Sequence, residues 1–174
     1  MQTSPPAARK FNFDNKPHIL VVEARFYDDI ADALLTGAQS VLDAVGASYE
    51  KLTVPGALEI PAAIAYAVKA MDYDPVRRRF DGYVALGCVV KGETRHDEIV
   101  GHESARALQE VALRYMLAVG NGILTVNNRE QAVARARPDG ENRGGRAAEA
   151  CLCMIEIKQQ FHLSSKRRWV AKSG

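Results

Sequence analysis

Short apolar runs alternate along the chain with apolar residues at helical spacing. His18-Ile19-Leu20-Val21-Val22-Glu23 is β-rich and predicts a first strand. From Ile30 onward Leu34, Leu35, Ala38, Val41, Leu42 and Val45 recur with the period of a helix, and Gly46 stops it. Tyr49 to Val54 predicts a second strand. Ala57 to Met71 predicts a helix, because Pro61 is tolerated near a first turn. Asp72 to Phe80 is a charged loop. Gly82 to Val90 is a continuous apolar run, the pattern of a strand covered on both faces as in a parallel sheet. Glu103 to Val119 predicts a helix through Ala107, Leu108, Val111, Leu113 and Leu117. Gly120-Asn121-Gly122 leads into a fourth strand, Gly122 to Val126. A short helix over Asn128 to Arg137 follows. A last helix, Gly145 to Phe161, carries Ala148, Cys151, Leu152, Ile155 and Phe161.

The order is βαβαβαβα. Parallel strands need crossover connections, and those crossovers are right-handed. The expected fold is α/β: a three-layer α/β/α sandwich around a four-stranded parallel sheet of flavodoxin-like strand order. Residues 1–17 are polar and proline-containing and read as a flexible N-terminal segment. Its run Phe11-Asn12-Phe13 is suited to adding a strand to a sheet edge, including that of a neighbouring subunit. Residues 18–161 form the expected domain, and 162–174 a basic C-terminal tail. Ligands of open α/β sheets bind outside the carboxyl ends of the strands, so the loops there are the ones to search.

Composition narrows the function classes. The 174 residues suit one domain, and the apolar share of 47% and charged share of 25% are ordinary for a soluble globular protein. A net charge of +2 gives no argument for nucleic acid. The basic clusters Arg77-Arg78-Arg79 and Lys166-Arg167-Arg168 read as solvated surface and tail. Cys88, Cys151 and Cys153 form no CxxC pair and read as small buried hydrophobes in a reducing compartment. Met1 to Pro17 has no apolar run and predicts no secretory leader. No stretch is apolar for long enough to span a bilayer, so a cytoplasmic location is expected. No set of His, Cys and carboxylates has zinc spacing, and neither GxSxG nor GxGxxG occurs.

The loops after the strands carry the candidate chemistry. Arg25-Phe26-Tyr27 follows the first strand, and its aromatics either stack on a flat heterocycle or cap the core. Val54-Pro55-Gly56-Ala57-Leu58-Glu59-Ile60-Pro61 follows the second. Gly56 permits a tight turn, and Glu59 either complements the helix dipole or accepts hydrogen bonds from a polyol. Lys91-Gly92-Glu93-Thr94-Arg95-His96-Asp97-Glu98 follows the third. Glycine, a hydroxyl and cations suit a phosphate cradle, without P-loop spacing. His96 is the histidine set among polar groups at a strand end, as a proton-transfer residue would be. Arg135 and Arg143 are either surface arginines or phosphate forks.

In order, Arg25-Phe26, Pro55-Gly56-Ala57-Leu58-Glu59-Ile60-Pro61 and Gly87-Cys88-Val89-Val90-Lys91-Gly92-Glu93-Thr94-Arg95-His96 resemble the lumazine synthase family. Gly122-Ile123-Leu124-Thr125, Glu130-Gln131-Ala132, Arg135 and Asn142-Arg143-Gly144 complete the set. The resemblance spans residues 18 to 161. It implies condensation of 5-amino-6-(D-ribitylamino)uracil with 3,4-dihydroxy-2-butanone 4-phosphate, with no cofactor and no metal. It implies homopentamers with each active site between neighbouring subunits. Phe26 would stack on the pyrimidine, and Ala57, Leu58 and Glu59 would hold the ribityl chain and ring edge. Cys88, Val89 and Val90 would contact the pyrimidine through backbone atoms, while Glu93 and Thr94 would bind the ketose phosphate. His96 would transfer protons. Asn121, Arg135 and Arg143 would come from the neighbour, with Arg135 on the phosphate.

Departures from the family pattern are also legible. Tyr27 stands for a usual asparagine, Asn121 for a phenylalanine and Arg143 for a lysine. Tyr27, Asn121 and the Gly144-Gly145 pair resemble a subgroup, the first of two paralogues in rhizobia-type bacteria. Arg137-Pro138-Asp139-Gly140-Glu141 replaces the Gly-rich turn of shell-forming members, which favours a lone pentamer. Asp97 replaces an aromatic and puts a carboxylate next to the phosphate region. That residue motivates a second reading, a weakly active paralogue that binds riboflavin or lumazine as a carrier or scaffold.

Overall fold

A computed structural model describes residues 9–73 and 80–163. Its elements are β1 (His18–Ala24), α1 (Asp28–Ala44), β2 (Ser48–Val54), α2 (Glu59–Ala70), β3 (Gly82–Val90), α3 (His96–Arg114), β4 (Val119–Val126), α4 (Arg129–Ala136) and α5 (Arg143–Gln160). The four strands are parallel in the order β2-β1-β3-β4. This is the flavodoxin-like α/β arrangement that the alternation predicts.

Successive side chains of a strand point to opposite faces, and both faces of the central strands are apolar. Ile19, Val21, Val84 and Leu86 pack with Leu34 and Leu42 of α1, Ala132 of α4 and Leu152 of α5. Leu20, Val22, Tyr83 and Ala85 pack on the other face with Ile60 and Ile64 of α2 and Leu108 of α3. β1 and all of β3 but its last residue are therefore buried, as the continuous apolar run predicts, whereas β2 is mostly exposed. Among the described residues β2 is an edge strand paired with β1 alone. Along this edge Leu52, Val54, Ala63, Tyr66 and Ala67 line an open groove of about 590 Å³.

Close approach of backbones sets the second face. Gly120 of β4 lies under α5, where an added Cβ would collide with the Ala147 carbonyl. One added at Gly144 of α5 would collide with the Leu34 carbonyl of α1. Asn142, in a left-handed conformation with φ 48°, caps α5 by accepting the Gly145 N–H at 3.1 Å.

Three expectations from the sequence need correction. The helix expected from Glu103 begins at His96, because the polar stretch His96–Glu98 is its first turn and not a loop. Asp97 and Glu98 there favour a helix N-terminus through its dipole. The helix ends at Arg114 rather than Val119, since Met116 takes a positive φ of 50° and turns the chain. β4 accordingly starts at Val119 and not at Gly122. Apart from these three, residues 9–17 pair with no strand of their own chain, and the expected pairing with a neighbouring subunit is a separate matter; the Phe11 and Phe13 rings stack at 5.7 Å and pack against the α5 side of the core. Arg77-Arg78-Arg79 and Lys166-Arg167-Arg168 lie outside the described residues, as does the tail beyond Leu163.

Cys88 and Cys151 are buried, but Cys153 is only half-buried, because α5 turns it away from Cys151. Burial pushes the Cys88 thiol up to about 11 and the Cys151 thiol up to about 12. The thiolate is the reactive form, so both should stay inert to an aromatic disulfide reagent at pH 8. Absorbance titration of the native protein should find reaction confined to Cys153 and abolished by Cys153→Ser. Labelling of Cys88 in the folded state would contradict this.

Candidate functional site

The carboxyl ends of β1, β2 and β3 lie side by side, with Ala24 paired to Val54 and Glu23 to Leu86. Three loops leave that edge. The first, Arg25–Tyr27, presents the Phe26 ring 73% exposed, with the Tyr27 ring edge-on to it and the centroids 5.0 Å apart. Beneath it Glu23 is fully buried. Its Oε1 accepts the Thr53 hydroxyl at 3.0 Å and pairs with Lys51 Nζ at 3.1 Å, while its Oε2 faces Arg25 Nη1 at 3.4 Å. Arg25 also donates through Nε to Asp28 Oδ1 at 3.0 Å and through Nη2 to Asp32 Oδ1 at 2.7 Å. The Asp32 hydrogen bond, above all, holds this guanidinium protonated more firmly than usual, against some desolvation and with help from Glu23 and Asp28.

The second loop descends from β2 through Pro55-Gly56. The Glu59 N–H donates to the Gly56 carbonyl at 3.2 Å and the Ile60 N–H to that of Ala57 at 3.3 Å, a tight turn that opens α2. Ala57 is buried, whereas Leu58 and Glu59 face outward. At the start of α2 that turn takes up the Glu59 and Ile60 N–H groups, and Pro61 has none to offer.

The third loop leaves β3, where Cys88 and Val89 are buried and Val90 is half-buried. The Lys91 N–H donates to the Val126 carbonyl at 2.8 Å and keeps the exit close to β4. Glu93, Thr94 and His96 are exposed, and Thr94 Oγ1 accepts the His96 backbone N–H at 3.4 Å. Asp97 turns the other way. Its Oδ1 is buried without a hydrogen-bond partner among the described residues, and it lies 3.9 Å from where a Cβ on Gly92 would stand. The carboxylate thus tucks under the Gly92 turn while His96 faces outward.

Asn121, Arg135 and Arg143 sit elsewhere. Asn121 is opposite Ala85, and its Oδ1 accepts the Ile123 N–H at 2.9 Å. Arg135 of α4 donates to the Gln131 carbonyl at 3.2 Å and lies 4.0 Å from Glu141. Arg143 forks onto Glu141 Oε2 at 3.0 and 2.8 Å, which lowers the Glu141 carboxyl below its ordinary value. A single chain therefore gathers Phe26, Leu58, Glu59, Thr94 and His96 at one edge and leaves those three with partners of their own.

Two features were not legible in the sequence. Glu23 reads as the polar end of a strand, yet it is the buried hub of the first loop. Asp29 and Arg129 join the first turns of α1 and α4 at 2.6 Å, and that contact lowers the Asp29 carboxyl. An acid inside a run of otherwise buried apolar residues, followed two residues later by arginine, is the signal that would have found the first. Among the described residues no group of three His, Cys, Asp or Glu could hold a metal ion, and no helix is long and apolar enough to cross a membrane.

Comparison with known proteins covers the same span of the chain. The family profile for 6,7-dimethyl-8-ribityllumazine synthase matches residues 16–159. A protein of that name from Bartonella tribocorum is 58% identical over 146 residues, 84% of this chain and 93% of its own length. One from Agrobacterium fabrum is 57% identical over 84% of this chain and 98% of its own. From Rhizobium meliloti, 6,7-dimethyl-8-ribityllumazine synthase 1 is 60% identical over 83% of this chain and 93% of its own length. The last agrees with the resemblance to the first of two paralogues. These relatives carry the synthase name, and the carrier or scaffold reading finds no support among them. With the strand order, the three edge loops and the matched span all in agreement, this chain belongs to the 6,7-dimethyl-8-ribityllumazine synthase family.

Proposed function

We infer that the protein performs the reaction of its family in riboflavin biosynthesis. It condenses 5-amino-6-(D-ribitylamino)uracil with 3,4-dihydroxy-2-butanone 4-phosphate to give 6,7-dimethyl-8-ribityllumazine, phosphate and water. The observation that carries this is the convergence of an exposed aromatic, a helix N-terminus and an exposed imidazole on adjacent strand ends. The arrangement suits a flat heterocycle beside a small phosphate ester.

The chemistry is compatible with these groups alone. The 5-amino group attacks the ketone, water leaves and an imine forms. Phosphate is eliminated, the enol tautomerises, and the ribitylamino nitrogen closes the ring with loss of a second water. No net redox change occurs. In this reading Phe26 stacks on the pyrimidine, and Ala57, Leu58 and Glu59 hold the ribityl chain. Backbone atoms of Cys88, Val89 and Val90 meet the ring, and Glu93 and Thr94 take the phosphate. His96 moves protons, and holding both substrates together supplies much of the acceleration.

Asn121, Arg135 and Arg143 act in this proposal from a neighbouring subunit of a homopentamer. That these three engage groups on their own side of the chain supports it, as do the open β2 edge and its groove. The run Phe11-Asn12-Phe13 is the proposed strand added to the neighbour. Residues 18–161 are the catalytic domain, with 1–17 and 162–174 as flanks. Three free thiols suit a cytoplasmic location. The test is formation of the fluorescent lumazine from the two substrates: a rate well above the protein-free blank is expected. A rate equal to that blank overturns the proposal.

A further inference from the structure

We propose that Glu23 and Arg25 are positioning residues for the pyrimidine half of the site, acting through the turn that presents Phe26. This rests on the reading that Phe26 stacks on the pyrimidine. Phe26 is an apolar ring with almost nothing packed on it, so contacts of its own do not fix its direction. What fixes it is the backbone on either side. Arg25 reaches back to Glu23 and forward to Asp28 and Asp32, so that one guanidinium spans the end of β1 and the first turns of α1. Phe26 lies within that span.

Glu23 sets where the guanidinium sits. A buried carboxylate is costly unless each oxygen is paired, and here Thr53 and Lys51 hold one oxygen while Arg25 covers the other. β1 and β2 are in register at Glu23 and Thr53, so the acid is anchored to the sheet rather than to the loop. Neutralising it leaves Arg25 attracted only to Asp28 and Asp32, both on α1 and both mostly exposed. The guanidinium then shifts outward along α1, and the turn carrying Phe26 loses its tie to the sheet. Preorganisation of a stacking ring is felt in the binding of its ligand rather than in proton transfer at His96.

The experiment is steady-state kinetics on Glu23→Gln, Phe26→Ala and the double variant. Glu23→Gln should raise the KM for the ribitylamino-pyrimidine about tenfold, the size of a typical coupling within one polar network. It should leave kcat at saturation and the KM for the ketose phosphate within roughly twofold of the parent. In the Phe26→Ala background the same substitution should add nothing. Arg25→Lys keeps the charge but loses the fork and should give the same split, and it carries the test if Glu23→Gln fails to fold. If Phe26→Ala weakens pyrimidine binding but Glu23→Gln and Arg25→Lys do not, the proposal falls while the stacking reading stands. The proposal falls in the same way if their effects add fully to Phe26→Ala, or lower kcat and raise both KM values together. If Phe26→Ala itself is silent, the stacking reading fails and the proposal goes with it.

Discussion

Arg135→Ala and His96→Ala enzymes should each form lumazine roughly 10²–10³-fold more slowly than the parent, the usual cost of removing a charge-stabilising or proton-transferring group. Unfolded together, mixed and refolded, the two should recover activity. Arg135 and His96 belong to different faces of one chain: Arg135 lies on α4 beside Glu141, while His96 opens α3 across the sheet. A site shared between neighbours takes His96 from one subunit and Arg135 from the next. In a random ring, roughly a quarter of the interfaces then unite an intact His96 with an intact Arg135. The parent rate per site is regained at those interfaces alone. A site contained within one subunit predicts no recovery at any mixing ratio. The lumazine fluorescence assay reads both outcomes, and sizing of the refolded mixture verifies that rings have formed.

Gly120→Ala should destabilise the protein by about 3 kcal/mol or more, beyond the usual cost of overpacking. The added methyl would stand inside the Ala147 carbonyl. Relief requires α5 to move off the sheet, and α5 carries Ala148, Cys151, Leu152 and Ile155 into the core. Denaturant midpoints of Gly120→Ala against the parent measure the effect. A control with opposite expectation is Gly87→Ala, whose Cβ would meet its nearest neighbour at 3.5 Å, an ordinary contact. Equal midpoints for Gly120→Ala and the parent would mean that α5 does not press on β4 as described.

These contrasts also explain what is legible in the sequence. The ends of β3 can be read correctly because a run buried on both faces is apolar from end to end. Both ends of α3 escape the same reading for a physical reason. Its first turns are exposed, and Ser104 and Leu108 are its buried residues, so apolar spacing carries little signal there. Past its end, Leu117, Ala118 and Val119 continue the apolar density, and nothing in the residue types announces the left-handed Met116. The edge loops are legible because strand ends are where such sheets bind ligands, and Phe26, Glu59 and His96 all emerge at that edge. The Glu23 hub is not, since its partners Lys51 and Thr53 come within reach only once β1 and β2 are paired. Asp97 reads in the sequence as a neighbour of the phosphate region, and helix geometry tucks it beneath Gly92 of that same loop. The carrier reading is without support because the named relatives are synthases.

The outer rim of β2 has one more consequence. A strand edge with unpaired amides is a template on which any other extended segment can zip. Here the rim carries Glu50 and Lys51 among its exposed side chains. Charges at such an edge make indiscriminate pairing unfavourable while still admitting a partner whose own charges match. A freshly synthesised chain thus carries its own guard against fibre growth along this rim.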